Sequence, residues 1–207
     1  MQKTVNGVVT KYILHGKNIT HLIRGNDELH FFYDASGSPA MVEWNNGTTT
    51  AKYAYVKNLQ GDIIAIINDN GAEVVKYTYD AWGNPVSTTG SMAATLGVLN
   101  PFRYRGYVYD EETGLYYLRS RYYKVTLSRF INTDSLINGD LFVYCRNCPI
   151  AFTDNDGENP DVIGNKERGS RTRHDIDSEP LSVEQFVSYL CQIADSEWKY
   201  VYGSTSY

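Results

Sequence analysis

Asn100–Ile131 reads NPFRYRGYVYDEETGLYYLRSRYYKVTLSRFI, with seven tyrosines, five arginines and a central Glu112-Thr113-Gly114 turn. Aromatic residues alternate with polar or basic ones around Tyr107, Tyr109, Tyr116, Tyr122 and Tyr123, which is the period of a strand and not of a helix. On that period Tyr107 and Tyr109 share one face, Val108 and Asp110 the other. Gly114 supplies the positive φ that a tight reversal between strands needs. The stretch predicts an aromatic-rich β-hairpin.

Outward from it, the same pattern recurs. An aromatic strand end followed by a turn glycine appears at Tyr12–Gly16, Phe32–Gly37, Tyr55–Gly61, Tyr79–Gly83 and Tyr109–Gly114, at intervals of roughly 20–30 residues, which marks a repeat architecture. Strands are expected over Ala51–Val56, Ile63–Asn68 and Glu73–Tyr79, with turns at Asn58 to Asp62 and at Asp69-Asn70-Gly71. One hairpin of this kind cannot bury a face, so neighbours must pair into a continuous twisted ribbon. Between Ser87 and Leu99 the pattern lapses into a connection with one helical turn at Met92–Leu96. After Ile131, loops and a last strand at Leu141–Tyr144 lead to the turn Asp154-Asn155-Asp156-Gly157.

Composition agrees with this reading. The 207 residues are 42% apolar, enough to bury a core, and 18 tyrosines with 17 glycines suit many short strands joined by turns. A net charge of −5 argues against a nucleic-acid surface. Arg103, Arg105, Arg119, Arg121 and Arg129 are interleaved with Asp110, Glu111 and Glu112, so cross-strand ion pairs and stacking on tyrosine account for them. Cys145 and Cys148 form a lone C-x-x-C with no second pair and no neighbouring histidine, which is not a zinc set. No metal or other cofactor is expected. The longest apolar run, Ile63–Ile67, is too short to span a bilayer, and the residues after Met1 contain no signal-peptide core.

The run GYVYDEETGLYYLRSRYY, preceded by YDAWGNP and followed by SRFINTDS and a DxDG turn, resembles the core of bacterial RHS (rearrangement hotspot) or YD-repeat proteins over Tyr12 to Gly157. The positions that carry the resemblance are Tyr79, Asp80 and Gly83; Arg103, Tyr104 and Gly106; Tyr109, Asp110, Gly114, Tyr116 and Tyr117; Arg119, Arg121, Tyr122 and Tyr123; and Arg129, Phe130, Asp134 and Gly157. The resemblance implies a mainly β fold, a hairpin ribbon that spirals into part of a hollow shell, whose core closes one end around a variable C-terminal effector. It implies no enzyme in the shell itself. Its partners would be the rest of the shell and that effector, and its place the cell surface or the exterior, as part of a larger polypeptide with its signal upstream. YCRNCP resembles the family's Y-x-x-N-N-P turn, with Cys148 in place of an asparagine. Lys124, Val125 and Ser128 replace the Asp, Pro and Gly of the family's RYYDPxxGRF.

In this family a D-P-x-G-L motif ends the core, and some members cleave themselves there with aspartates. Asp154 and Gly157 match it, which makes Asp154 a candidate for self-cleavage; Asn155 and Glu158 depart from it, and turn-capping is the plainer role. The implied organisation is hairpin repeats over 1–99, core over 100–157, a polar linker over 158–180 and a variable segment over 181–207. That last segment holds one amphipathic helix up to about Ser196, capped by Ser182 with Gln185 three residues on, with Val183, Phe186, Val187, Leu190, Ile193 and Ala194 on its apolar side. Its sequence is similar to the opening of an NlpC/P60 peptidase domain through Trp198, Tyr200 and Gly203, with Cys191 inside the helix. Besides the shell reading, two others stand: a wall-hydrolase precursor, and a module whose surface tyrosines stack on cell-surface glycans. The shell reading also expects the strands near Tyr12 and Phe32 to present unpaired edges.

Overall fold

The computed structural model describes residues 1–133, 141–158 and 160–163. Nine strands follow one another: β1 Gln2–Val5, β2 Val8–His15, β3 Asn18–Arg24, β4 Asp27–Tyr33, β5 Pro39–Asn45, β6 Thr50–Lys57, β7 Ile63–Ile67, β8 Glu73–Tyr79 and β9 Pro85–Thr89. Each pairs antiparallel with the next, so spatial order is chain order. A short helix α1, Leu96–Leu99, leads to a four-stranded sheet of β10 Val108–Asp110, β11 Leu115–Tyr117, β12 Tyr122–Lys124 and β13 Arg129–Phe130. A last pair joins β14 Phe152–Thr153 to β15 Asp161–Val162. The expected ribbon of antiparallel hairpins is what forms; the expected C-terminal helix, Cys191 and the NlpC/P60-like positions lie outside the described residues.

One turn recurs four times, and it explains the repeat. Asp34, Asn58, Asn68 and Asp80 each end a strand, and each accepts on its side-chain Oδ1 the N–H groups two and four residues on. The backbone carbonyl of each accepts the N–H of the glycine three residues on, Gly37, Gly61, Gly71 or Gly83. A short acceptor side chain and a residue free to adopt positive φ are both required, which fixes an Asx–x–x–Gly spacing. Sequence reading aligned the repeats on the aromatic residue and the glycine; the Asx cap between them does as much to set the turn.

The strands alternate as their sequences predict. Leu22, Leu29, Phe31, Val42, Tyr55, Ile66, Val75 and Tyr77 are buried on one face of the nine-stranded sheet, and they pack around the chain segment that comes after it. Phe102 stands edge-on to Phe31 with ring centroids 5.0 Å apart and also meets Tyr33 and Tyr55. Asn100 is buried between them, accepting the Tyr55 hydroxyl at 2.8 Å, while Tyr77 donates to the Gly97 carbonyl at 2.9 Å.

The sheet is rolled. The β10–β11 hairpin touches β1 through Lys3, which bonds Asp110 and Glu112, and it also touches the β8–β9 turn through Tyr116 and Gly83. Nine strands laid flat would hold those two places about 38 Å apart, whereas three-residue strands span only about 10 Å. Both edges of the sheet must therefore bend towards the same hairpin.

Several expectations are corrected. The strands near Tyr12 and Phe32 are not edges: β2 and β4 are each paired on both sides, and the outer strands are β1 and β9. The helical turn falls on Leu96–Leu99, because the Met92 carbonyl is taken by the Thr95 and Gly97 N–H groups and the helix opens only after that reversal. Leu141–Tyr144 contributes one bridge, Val143 to Arg129, and no strand. The chain turns away immediately afterwards, since Cys145, Arg146 and Asn147 are all left-handed, with φ of 48°, 52° and 60°. Asp161–Val162, polar enough to read as linker, pairs with β14.

Ser128 stands where the resemblance implies glycine, and it ends the turn Val125–Leu127 in the left-handed region at φ 53°. A side chain there costs about 1–2 kcal/mol, part of which glycine loses again through its freer unfolded chain. Ser128→Gly is expected to raise stability by about 0.5–1 kcal/mol. Urea unfolding should show a higher midpoint at unchanged slope.

Candidate functional site

The tyrosines of the core converge on the turn Asp80–Asn84. Tyr104 donates to the Ala81 carbonyl at 3.0 Å, Tyr123 to Trp82 at 2.9 Å and Tyr116 to Gly83 at 2.9 Å. Three phenols from separate elements thus bond three successive carbonyls that point out of one tight turn. Burial holds all three hydroxyls above the ordinary phenol range, so they remain donors. The rings pack on one another, Tyr104 against Tyr107 and Tyr116, and Tyr123 stacks on Tyr144 at 4.1 Å. Gly83 lets them in: a Cβ on it would lie 2.5 Å from a Tyr104 ring carbon. Asp80 holds the turn, and Tyr79 donates to Ile63 at 2.9 Å. The three bonds were not visible in sequence, although YDAWGNP and the core tyrosines both were.

Buried arginines fasten the rest, with partners other than the acidic run beside them. Arg103 lies 4.3 Å over the Tyr77 ring and donates to the carbonyls of Asn100 and Gly97. Arg105, left-handed at φ 56° beside Gly106, donates to Gln60 at 2.9 Å and to Pro149, with its Nε 3.5 Å from Asp62. Asp62 also accepts the Arg105 backbone N–H at 3.0 Å. Asp110, by contrast, faces Lys3 and accepts Thr113 Oγ1 at 2.6 Å, and Glu112 also faces Lys3. Among the described residues, Asp110 and Glu112 thus pair with Lys3, while Arg103 and Arg105 take other partners. Sequence spacing could not reveal Asp62, because its partner lies 43 residues away.

At the end of the core, Asp154 is 1% exposed. Its Oδ1 accepts the N–H groups of Gly157 at 2.8 Å and Glu158 at 3.1 Å, and its Oδ2 lies 3.5 Å from Arg121. Burial pushes its carboxyl up to about 6, with Arg121 pulling down and Asp156 pushing up. Tyr107 donates to the Asp154 carbonyl at 2.7 Å, and Arg121 Nε to the Gly157 carbonyl. The Arg121 guanidinium also lies 3.7 Å over the Phe130 ring. Gly157 has no room for a side chain, since a Cβ would meet Ser120 Oγ at 2.7 Å and the Leu118 carbonyl at 2.8 Å. The arrangement is an Asx turn locked against the 118–121 loop, with one buried carboxyl.

The remaining positions lie apart from these two clusters. Tyr109 packs on Tyr116 at 4.7 Å, and Gly114 turns the hairpin with φ 63°. Arg119, at φ 69°, and Arg129 are exposed. Tyr117 and Tyr122 pair on the outer face at 5.1 Å and are the only exposed tyrosines among the described residues. Asp134 lies outside the described residues. Cys145 and Cys148 are free thiols; Cys145 is buried, and burial pushes its thiol up to about 12, the behaviour of a packed and unreactive group. Among the described residues no helix is long and apolar enough to cross a membrane.

Comparison with known proteins agrees with this geometry. The crystal structure of TcdB2-TccC3-Cdc42 superposes with a TM-score of 0.60 at 19% identity, over 76% of this chain and 8% of that one. The crystal structure of TcdB2-TccC3-TEV does so with a TM-score of 0.55 at 20% identity, over 75% of this chain and 8% of that one. The tRNA nuclease WapA of Bacillus subtilis (strain 168) is 39% identical over 168 residues, 76% of this chain. The chain spans only 7% of that relative's length. The Teneurin YD-shell model matches residues 1–154, so the chain belongs to the YD-shell family, of which the RHS proteins are part.

Proposed function

We propose that this segment closes one end of a shell and thereby encloses and presents an effector carried C-terminal to it. The observation that carries the reading is the grip of Tyr104, Tyr116 and Tyr123 on the Asp80–Asn84 turn, which fixes the core against the rolled sheet. A wall fixed at a turn by side chains from three elements is suited to holding a boundary shut. The chemistry at Asp154 supports a structural role in the same closure: both of its oxygens and the Gly157 carbonyl already have partners. Self-cleavage after Gly157 would need a second carboxylate close enough to share a proton with Asp154.

The test uses a longer polypeptide that joins upstream repeats, this segment and a C-terminal effector. Residues beyond 163 should resist added protease, and Arg105→Met, which frees the 145–149 loop from the 58–62 turn, should speed their digestion at least tenfold. Intact mass before protease should show one uncleaved chain. Equal digestion rates in both proteins would overturn enclosure, and a product ending near Glu158 would overturn the structural reading of Asp154.

A further inference from the structure

The outward face of the sheet carries a row that the closure does not use. Register sets His21 directly opposite His30, His30 opposite Glu43, and Glu43 opposite Lys52, across β3, β4, β5 and β6. Glu28 and Asn45 stand two residues along on the same face, also opposite each other. His21, Glu28, His30, Glu43, Asn45 and Thr50 line a surface depression of about 200 Å³. The two imidazoles are stacked, with centroids 4.2 Å apart and planes 11° from parallel.

His21 Nδ1 lies 3.2 Å from Thr20 Oγ1, whose hydroxyl is also 3.2 Å from the Ile13 carbonyl. A ligand histidine is commonly oriented by a hydrogen bond at the ring nitrogen that does not bind the metal, and for His21 that leaves Nε2 as the ligand atom. Directly opposed strand residues have Cβ atoms about 4.5–5.5 Å apart, which lets both rings reach one ion. Two nitrogens bound to one tetrahedral zinc lie about 3.3 Å apart, so the stacked rings need only tilt towards each other.

We propose that His21 and His30, with Glu43 as the third ligand, form a site for a divalent transition cation of the zinc and copper class. Imidazole with carboxylate favours these ions over calcium or magnesium, which prefer an all-oxygen shell. Among the described residues no three such side chains already surround a common point. Glu43 instead faces Lys52 at 3.6 Å, and both are solvent-accessible, so the ion has to draw Glu43 from a weak surface pair. The bound ion would bridge β3, β4 and β5 from outside, independently of the tyrosine closure on the other side of the sheet.

Calorimetric titration of the purified chain with Zn²⁺ should show one equivalent bound. The double variant His21→Ala/His30→Ala should lose that equivalent, Glu43→Gln should weaken it about tenfold, and Lys52→Ala should leave it intact or tighten it. His21, His30 and Glu43 are half-buried and Lys52 is exposed, and circular dichroism melts will check that the variants fold. With Cu²⁺, electron paramagnetic resonance should show coupling to two nitrogens in the wild type and to one in His21→Ala or His30→Ala. Unchanged Zn²⁺ uptake by the double variant would place the metal elsewhere, at the cysteines for instance, and overturn the proposal. A titration without heat, or a wild-type copper spectrum with one nitrogen, would overturn it equally.

Discussion

Gly83→Ala is expected to lower stability by about 2–5 kcal/mol, combining a left-handed penalty of about 1–2 with an overpacking cost of about 1–3. The residue sits at φ 90°, and an added Cβ would lie 2.5 to 2.9 Å from three carbons of the Tyr104 ring. Against a typical domain stability of about 5–15 kcal/mol, such a loss is readily seen as a lower urea midpoint. Tyr104→Phe, which keeps the ring and removes the bond to Ala81, should cost only about 1 kcal/mol. Tyr104→Ala makes room for the new methyl, so the double variant should be more stable than the sum of the two single changes allows. A Gly83→Ala protein within about 0.5 kcal/mol of wild type would mean that the three-tyrosine grip does not hold the core.

The second large effect depends on pH. Asp154 has a carboxyl pushed up to about 6 from the ordinary 3.8, so between those values the folded chain binds more protons than the unfolded one. Stability must then fall as pH rises through that window and level off above about 6, with a total on the order of 2–3 kcal/mol from this group. Asp34 and Asp110 are shifted the other way, and they titrate below the window. Asp154→Asn keeps an acceptor for the Gly157 and Glu158 N–H groups and removes the charge. Its urea midpoints from pH 4 to pH 7 should lack the decline that the wild type shows. Parallel profiles for the two proteins would sink the assignment.

Periodicity made the strands readable from sequence. Alternation in Tyr53–Val56 or Leu29–Phe31 states which side is buried, and a glycine after an aromatic strand end states where the chain reverses, so the ribbon was legible strand by strand. The rolling of that ribbon was implied only by the family resemblance and not by the residues' own pattern, because it depends on contacts such as Lys3 to Asp110 that no local rule relates. The same limit hid Asp62 from Arg105 and the Ala81–Gly83 carbonyls from the tyrosines: a side chain's partner across the fold leaves no spacing to read. Leu141–Tyr144 misled for another reason. Its apolar pattern suits a strand, but three left-handed residues in succession at Cys145–Asn147 end it, and although Asn147 and the likeness to a Y-x-x-N-N-P turn mark a turn there, Cys145 and Arg146 do not announce positive φ as a glycine would.

Because strand order equals chain order in the nine-stranded sheet, lengthening or shortening the ribbon requires no rewiring. One whole hairpin inserted by duplication meets the same neighbours that its parent met, as in other linear repeat arrays. A chain emerging from a ribosome or a secretion channel can likewise lay down each strand on the last, in the order of its arrival. The tyrosine grip obeys the opposite rule, for its parts come from turn 81–83 and from residues up to 41 positions later, and it can form only once all have appeared. The ribbon can therefore be lengthened or shortened hairpin by hairpin, while the lock needs all of its parts at once.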